Sequence, residues 1–511
     1  MATNRNVLMR PGEMPPRAWP LAVGVIAFVF FLALWPRISE RLDPLTGDEP
    51  FYVMTAISLL RDQDLDESNN YTAVTIKGNS GPHTLYAFDE SLNPPDPLPP
   101  GWRGWPSPPR LVGPHTATTE RDGLFTKHGI GLSALIALPW ALAGRFGANL
   151  AVMLAAAILA SQMYLLAREN RADPSIAAAV ALGLTVSIPI GPYALLLFPE
   201  VPAALLLIYA IRRAAAPENA WWQLGLSGCA IGLLPWLHQR FVPTAAVLAL
   251  VVFLKVLRSR DVLRNAAFGL GPIAVGGICL LAYNQWLYGL PVQRSEDHAG
   301  FNRLVGTING GFGLLLDAQW GILITAPVFI LAIAAFPIWR RDHQWIANIV
   351  LVAVGPYLVI VAAYKVWWGE WGPPARYLVP IVPLAAGPLA AWLQQASVRG
   401  RLATYALWSV GMLLTVVGYQ DPQRFYHHPD GVNNLIVQLG DQFRVDLQQF
   451  LVAFQPYSIS PLPARFWIST IFVACLIIAM RAISGIDFRG SIRRAFKSLV
   501  KNLEANRRFV R

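Results

Sequence analysis

Two adjacent carboxylates, Asp48 and Glu49, follow shortly after the first apolar segment of the chain, 19–36. Gly47 precedes the pair, and the aromatic-containing stretch 50–52 (PFY) follows it. Charged side chains close to hydrocarbon are costly, and those that occur there usually serve a function. A carboxylate can take a proton from a reacting group or ligate a cation. The pair is therefore the first candidate for a reactive site.

The composition is that of an integral membrane protein. Of 511 residues, 54% are hydrophobic and 14% are charged, and the mean hydropathy is +0.42. Soluble domains carry roughly a quarter charged residues, and a membrane span needs about 20 mostly apolar ones. The sequence thus predicts an all-α polytopic fold with about 12 transmembrane helices. The predicted spans are 19–36, 148–167, 174–190, 200–213, 221–236, 241–257, 265–286, 319–338, 344–364, 376–396, 402–419 and 465–483.

The first span is predicted to be retained rather than cleaved. It is longer than the apolar region of a secretory signal, and no small-residue cleavage site follows it at 37–39. The cysteines Cys229, Cys279 and Cys475 all fall inside predicted spans, so no disulfide framework is expected in the loops.

The connecting segments differ in charge between the two sides of the membrane. The N-terminus, the tail after residue 480 and the loops between them on one side hold 24 Lys and Arg against 8 Asp and Glu, a net of +16. The remainder holds 17 against 22, a net of −5. Basic loops face the cytoplasm, so both termini are predicted to be cytoplasmic. Topology and anionic lipids explain the positive charge, and no nucleic-acid partner is needed.

This topology divides the chain into a core and several loops. The predicted order is a cytoplasmic N-terminus (1–18), a core (19–260) with an outer loop (37–126) and an interfacial helix (128–144), further spans (261–419), a second outer loop (420–464), a last span (465–484) and a basic amphipathic tail (485–511). The tail is expected to lie on the inner leaflet.

Four sequence features, taken in order, resemble the GT-C glycosyltransferases. The acidic pair opens a long outer loop, and a lysine-containing turn at 126–131 (TKHGIG) leads into the interfacial helix. A span then ends in LLAR at 165–168, and an outer acid follows in the motif Pro-Glu-x-Pro-Ala at 199–203. The similarity is to the bacterial branch related to protein O-mannosyltransferases and aminoarabinose transferases. It covers residues 19–260; beyond them it rests on topology.

The resemblance implies the reaction and its base. Members of this family move a sugar from a polyprenyl-phosphate donor to an acceptor at the outer face, which here would be a glycan, a lipid or a protein. Asp48 matches the family's catalytic base, and Glu49 would orient the acceptor or ligate a cation. A carboxylate beside the nucleophile can accept its proton, and single displacement inverts the anomeric carbon. The alternative for Asp48 is an N-cap of a helix starting at Glu49-Pro50.

The donor phosphate requires cations on the outer side. The candidates are Lys127, which matches the family's lysine, and His128, His238, Arg240, Arg376 and Lys365. Their alternative role is snorkelling to lipid headgroups. The candidates for substrate binding are Tyr52, Glu200, Trp368, Glu370 and Trp371. A helix-terminal acid is the alternative for Glu200, and a place in the membrane's aromatic belt is the alternative for the tryptophans.

Two other functions remain open from the sequence. A lipid flippase or transporter would place ionisable residues at mid-span and show inverted repeats, whereas a GT-C-like ligase or polymerase would use the same base and cations. The run Asp62-x-Asp64-x-Asp66 resembles the start of a calcium loop, but it lacks a glycine at the sixth position and an acid at the twelfth, which is Ala73. No cofactor is certain, and the metal, if any, is unknown; a divalent cation remains open. The predicted location is the inner membrane of a bacterial-type cell.

Overall fold

The computed structural model describes residues 18–43, 45, 47–70, 116–291, 300–455 and 462–484. Within these ranges the regular elements are helices, and the β-structure is limited to isolated bridges such as Thr116–Thr126. The all-α class is therefore confirmed. The predicted basic tail 485–511 and much of the predicted first outer loop, 37–126, lie outside the described residues.

The longer helices follow the apolar segments of the sequence. They are Ala18–Arg41, Glu49–Arg61, Gly131–Glu169, Pro174–Val186, Glu200–Ala215, Trp221–Leu237, Val242–Leu257, Val262–Gly269, Gly271–Tyr288, Leu304–Leu316, Phe329–Asp342, Gln344–Ala363, Ala386–Gln395, Val398–Gln420, Asn434–Phe443 and Leu462–Ser484. Short helical turns connect them at Ile190–Tyr193, Gln239–Phe241, Ile322–Thr325, Arg376–Leu378, Val382–Ala385, Pro422–Phe425 and Gln448–Phe450.

Seven helical stretches in the described chain are long and apolar enough to cross a membrane. They are Ala18–Arg41, Gly131–Glu169, Gln239–Leu257, Val262–Tyr288, Gln344–Ala363, Val398–Gln420 and Pro463–Met480. The other five predicted spans hold shorter helices. Pro327 follows a break after Thr325 inside the predicted span 319–338, and 3₁₀ turns occupy the first half of the predicted span 376–396. Full-length helices in those two spans were a wrong expectation, because proline and tight turns interrupt them.

The helix Leu304–Leu316 is absent from the predictions because it is rich in glycine. Its glycines allow a close approach to the neighbouring chain. A Cβ on Gly310 would lie 2.2 Å from the carbonyl oxygen of Ala362, and one on Gly313 would lie 2.2 Å from the ring of Trp367. Glycine lowers helix propensity by roughly 1 kcal/mol per residue, and here tertiary packing offsets that cost.

A kink divides Gly131–Glu169 where the sequence predicts a boundary between an interfacial helix and a span. Ala143 and Gly144 have non-helical backbone angles there. Arg145, at 2% exposure, follows the kink and donates hydrogen bonds to the carbonyl oxygens of Leu42 (3.0 Å) and Ser39 (3.2 Å). The kink is thus bonded to the end of the first helix and fixes the start of the segment that carries Asp48. The interfacial placement of 128–144 stays a prediction.

The kinked helix packs against the helix that carries the acidic pair and against two others. Gly131–Glu169 packs against Ala18–Arg41, Glu49–Arg61 and Glu200–Ala215. Glu49–Arg61 is largely buried along its first two turns, so its N-terminus is held at one end of the bundle. Residues from distant parts of the sequence meet at that end.

Candidate functional site

Asp48 lies at the N-terminus of Glu49–Arg61, yet its side chain makes no capping hydrogen bond to the helix. Its Oδ2 instead accepts a hydrogen bond from Nη2 of Arg376, and its Oδ1 lies 4.0 Å from Nε2 of His128. Gly47 has a φ of +63°, and a Cβ there would lie 3.1 Å from the carbonyl oxygen of Trp371. Glycine fits this left-handed, tightly packed turn. The turn aims the carboxylate away from its own helix, so Asp48 does not act as an N-cap.

Glu200 joins two arginines at the same end of the bundle. Its Oε1 accepts a hydrogen bond from Nε of Arg376 (3.0 Å) and another from Nη2 of Arg240 (2.9 Å). Glu200 is fully buried, and both arginines are almost so. Asp48, Arg376, Glu200 and Arg240 therefore form one continuous chain of ion pairs, called the ion-pair chain below. The arginines are bonded to protein carboxylates and do not snorkel to headgroups.

Aromatic rings pack against both guanidinium groups. The guanidinium carbon of Arg376 lies 4.5 Å from the ring centroid of Phe198, and that of Arg240 lies 4.7 Å from the ring centroid of Tyr377. The hydroxyl of Tyr357 donates to the backbone oxygen of Tyr377 (2.6 Å) and fixes that residue. Cation–π contacts of this kind stabilise a desolvated cation. The three aromatic residues were missed from sequence, although Phe198 and Tyr377 flank Glu200 and Arg376 closely.

Glu49 ties the helix it begins to the segment before Glu200. Its Oε1 accepts a hydrogen bond from the backbone N–H of Leu197 (2.8 Å), and the residue is 1% exposed. This bond spans two separate elements and sets the distance between Asp48 and Glu200. Glu49 is therefore a structural neighbour of the ion-pair chain; its role towards an acceptor stays a prediction.

The two histidines predicted for the site flank the ion-pair chain. The ring centroid of His128 lies 4.9 Å from that of Tyr52, and Nδ1 of His238 accepts a hydrogen bond from the backbone N–H of Arg240 (3.1 Å). Burial lowers the pKa of His128; nearby Lys127 and Arg376 lower it further, while Asp48 opposes them. His128 is therefore neutral at neutral pH and adds no second cation beside Asp48.

Charges in the site also shift the pKa values of Tyr52 and Arg376. Burial raises the pKa of Tyr52 well above its usual value, and the carboxylates Asp48 and Glu200 raise it further. Burial alone would lower the pKa of Arg376, but the same two carboxylates outweigh it and hold that pKa above its usual value. Tyr52 therefore remains a phenol, and Arg376 remains a cation across the physiological pH range.

Tryptophans and the segment 425–428 lie beside the ion-pair chain. Trp371 touches Gly47, and its ring centroid lies 5.3 Å from those of Tyr426 and His428. Trp368 contacts Trp320 at 6.4 Å. Trp368 is buried in protein, which rules out a place in a lipid-facing belt. The aromatic and histidine run at 425–428 was missed, although its composition is unusual for a loop.

Two predicted residues, Lys365 and Glu370, have exposed side chains, unlike the buried arginines of the ion-pair chain. Lys365 adjoins Gly300 through its backbone N–H, which donates to the Gly300 oxygen at 3.1 Å. The prediction that Lys365 binds the same phosphate as Arg376 therefore gains no support from the geometry. Lys127 is half-buried next to His128.

A buried acid, Asp317, holds the end of the segment 420–455, which was predicted to be an outer loop. Its Oδ2 accepts a hydrogen bond from the N–H of Phe454 (2.6 Å), and its Oδ1 accepts others from the N–H of Trp320 (3.0 Å) and from Nε2 of Gln455 (3.0 Å). Burial raises the pKa of Asp317 to about 6, although the N–H groups and Arg465 lower it in part. The carboxylate thus joins the turn before Trp320 to the segment 451–455.

Replacing Asp317 with alanine is expected to loosen this loop. The change leaves buried N–H donors without acceptors, at about 1–3 kcal/mol each. Limited proteolysis should therefore cut the loop near residues 440–455 several times faster than in the wild type. Asp441→Ala, which removes an exposed acid from the same loop, is the control and should be cut at the wild-type rate. Equal cleavage of the wild type and Asp317→Ala would show that the carboxylate does not hold the loop.

The acidic run at 62–66 serves the local structure. Oδ1 of Asp66 accepts hydrogen bonds from the backbone N–H groups of Ser68 (3.0 Å) and Leu124 (3.0 Å), and Oδ1 of Asp64 accepts one from Oγ of Ser58 (2.8 Å). In the part of the chain that the structure describes, no group of three or more His, Cys, Asp or Glu side chains is arranged to hold a metal ion.

The cluster combines two chemical capacities. Asp48, with one-fifth of its side chain exposed, can accept a proton from a bound molecule. Arg376 and Arg240 retain N–H groups beyond those bonded to Glu200 and Asp48, and a guanidinium binds phosphate oxygens through such groups. A base and a paired cationic site therefore lie within one cluster of side chains.

Comparisons with known proteins give one likeness of fold. No protein-family model matches the chain, and no curated protein matches it. Among solved structures, the chain is similar to ArnT from Cupriavidus metallidurans in the apo state, with 13% identity and a TM-score of 0.45. The match covers 90% of this chain and 77% of that one.

Proposed function

We propose that this protein is a membrane glycosyltransferase of the GT-C type. It would transfer a sugar from a polyprenyl-phosphate donor to an acceptor at the predicted outer face, with inversion of the anomeric carbon. One observation carries the proposal: a partly exposed carboxylate, Asp48, is bonded to a buried arginine, Arg376, which shares the acid Glu200 with Arg240.

The reaction needs a base and a cationic site for phosphate, and both are present. In the proposed step, the acceptor oxygen or nitrogen forms a bond to the anomeric carbon while the bond from that carbon to the phosphate oxygen breaks. The phosphate leaves with the bonding electrons, and the acceptor's proton passes to Asp48. Phosphate needs no strong acid to leave at neutral pH, so a single base suffices. Arg376 and Arg240 would stabilise the charge that develops on the leaving phosphate.

The surroundings of the ion-pair chain suit a lipid-linked donor. Seven helical stretches of the described residues are able to cross a membrane, so a polyprenyl tail could remain in the bilayer while its headgroup reaches Arg376. Trp371 beside Gly47 offers an aromatic face next to Asp48 on which a sugar ring could pack. Tyr52, Trp368 and Trp371 are the residues proposed to contact the sugar or acceptor.

Purified protein in nanodiscs tests this function with a panel of polyprenyl-phosphate sugars. We expect one donor to be consumed and free polyprenyl phosphate to be released. Both are measured by mass spectrometry of the lipid fraction. A small donor panel suffices because only the sugar varies. Transfer of a single sugar to a small acceptor supports this assignment, whereas transfer of a preassembled glycan would instead identify a ligase or polymerase. Movement of the lipids between leaflets without consumption of any donor would contradict it and identify a flippase.

A further inference from the structure

Arg376 binds two carboxylates that differ in accessibility. Glu200, on Nε of Arg376, is fully buried, whereas the side chain of Asp48, on Nη2, is 20% exposed. The backbone oxygen of Gly369 accepts a third hydrogen bond from Nη1 (3.1 Å). Two of the three partners therefore lie inside the protein, and the third lies at the open edge.

The buried side of Arg376 is fixed by several contacts. Glu200 also binds Arg240 (2.9 Å), and the guanidinium group of Arg376 lies over the ring of Phe198. Withdrawing Arg376 from Glu200 would leave charges unpaired in the interior, which is strongly unfavourable. Withdrawing Asp48 exposes a carboxylate that is already in contact with solvent. Any incoming anion will therefore compete with Asp48 and not with Glu200.

From this asymmetry we infer that the donor's phosphate displaces Asp48 from Arg376, so that the carboxylate becomes the reacting base only after the donor has bound. Asp48 would then occupy the phosphate position in the resting protein. This inference rests on the proposed function and adds a binding order to it. Arg376 positions Asp48 in the resting protein and the donor's phosphate after binding. Glu200 keeps Arg376 in place during the exchange.

The exchange is balanced in charge and geometry. A sugar phosphodiester carries one negative charge, the same as the carboxylate it replaces, and its two free oxygens suit the planar fork of a guanidinium. His128, 4.0 Å from Asp48, is neutral and would not replace Arg376 as a cation. A carboxylate that has lost its cationic neighbour binds a proton more strongly. Donor binding would thus supply the base that the transfer step requires. Without donor, Asp48 would stay bonded to Arg376.

Ligand binding without turnover tests the exchange. The probe is farnesyl phosphate, titrated into the detergent-solubilised full chain by calorimetry, with farnesol as the probe that lacks phosphate. We expect Asp48→Asn to bind farnesyl phosphate about tenfold more tightly than the wild type, because the competing carboxylate is gone. Asp48→Ser provides a second variant of the same kind should Asp48→Asn not fold.

The control is Asp62→Asn, which removes an equal charge from an exposed acid at the other end of the same helix. Asp62 is about a helix length away from Arg376, so its loss should change the affinity less than about twofold. An equal gain in both variants would reduce the effect to general electrostatics and overturn the exchange, as would an unchanged affinity in Asp48→Asn. In Arg376→Gln, the affinity should fall, and the additional change Asp48→Asn should no longer raise it.

A parallel titration with inorganic phosphate separates a lipid headgroup from free phosphate. Weaker binding of inorganic phosphate than of farnesyl phosphate supports the lipid headgroup; equal binding of the two would overturn that assignment. The titrations need no sugar transfer, so they test the exchange of Asp48 for phosphate independently of the proposed transferase function. Absence of transfer from any donor would remove the proposed function, whereas an unaltered affinity in an active enzyme would remove the exchange alone.

Discussion

Asp48→Asn is expected to lower sugar transfer about a thousandfold, within the usual range for the loss of a general base. Asparagine has nearly the size of aspartate and can still accept a hydrogen bond from Arg376, so the local structure should persist. It cannot take the proton from the acceptor. Binding of a lipid phosphate should be tightened, because the negative charge beside Arg376 disappears.

The measurement is donor consumption at saturating donor and acceptor, together with donor affinity. Asp62→Asn is the matched control, since Asp62 is an exposed acid at the other end of the same helix. It should transfer sugar at the wild-type rate. Turnover by Asp48→Asn within tenfold of the wild type would show that another group removes the proton. It would leave the transferase function intact.

Glu200→Ala is expected to destabilise the fold by about 3–5 kcal/mol, the usual cost of removing one partner from a buried ion pair. Arg240 and Arg376 would then face each other at the end of the bundle without their common carboxylate. Glu200→Gln keeps an acceptor for hydrogen bonds but loses the charge, so its destabilisation should be smaller.

Unfolding in detergent, followed by tryptophan fluorescence, would measure this effect. The control is Glu218→Ala, which removes an exposed acid beyond the other end of the same helix. That change should leave the unfolding midpoint unaltered. If Glu200→Ala unfolds at the same midpoint as the wild type, the two arginines have other partners, and the ion-pair chain does not stabilise the fold.

The variants at Asp48 and Glu200 test two roles of the ion-pair chain, catalysis and stability. Asp48 is the accessible end of the ion-pair chain and Glu200 its buried centre, so a loss of transfer is expected from the first and a loss of stability from the second. A buried salt bridge is often no more stabilising than apolar residues of the same size. The cluster is therefore better explained by a need to hold two cations at a defined place than by stability alone.

The sequence by itself determined the class of protein and most of its helices. Hydropathy is a local property, so a run such as 344–364 predicts its own helix, and the structure places one at Gln344–Ala363. The acidic pair and Arg376 were also found from sequence, because charged residues beside apolar segments are costly and therefore conspicuous. The start of the helix Glu49–Arg61 followed from Pro50 in its first turn.

Local patterns failed where packing decides the conformation. The helix Leu304–Leu316 was missed because its glycines disfavour a helix locally and become favourable only against Ala362 and Trp367. The predicted span 376–396 is half turn and half helix, since Arg376 and Tyr377 lie in a 3₁₀ turn at the ion-pair chain. Apolar composition alone does not distinguish these cases from a continuous span.

Only the tertiary structure decided what Asp48 contacts. Its position before Glu49-Pro50 is equally suited to a helix cap, and the choice depends on Arg376, which is brought to it by the packing of helices far apart in the sequence. Likewise, nothing in the sequence pairs Glu200 with both arginines. A side chain's partner depends on which helix ends meet, and that is fixed by the sum of many interhelical contacts instead of by any local pattern.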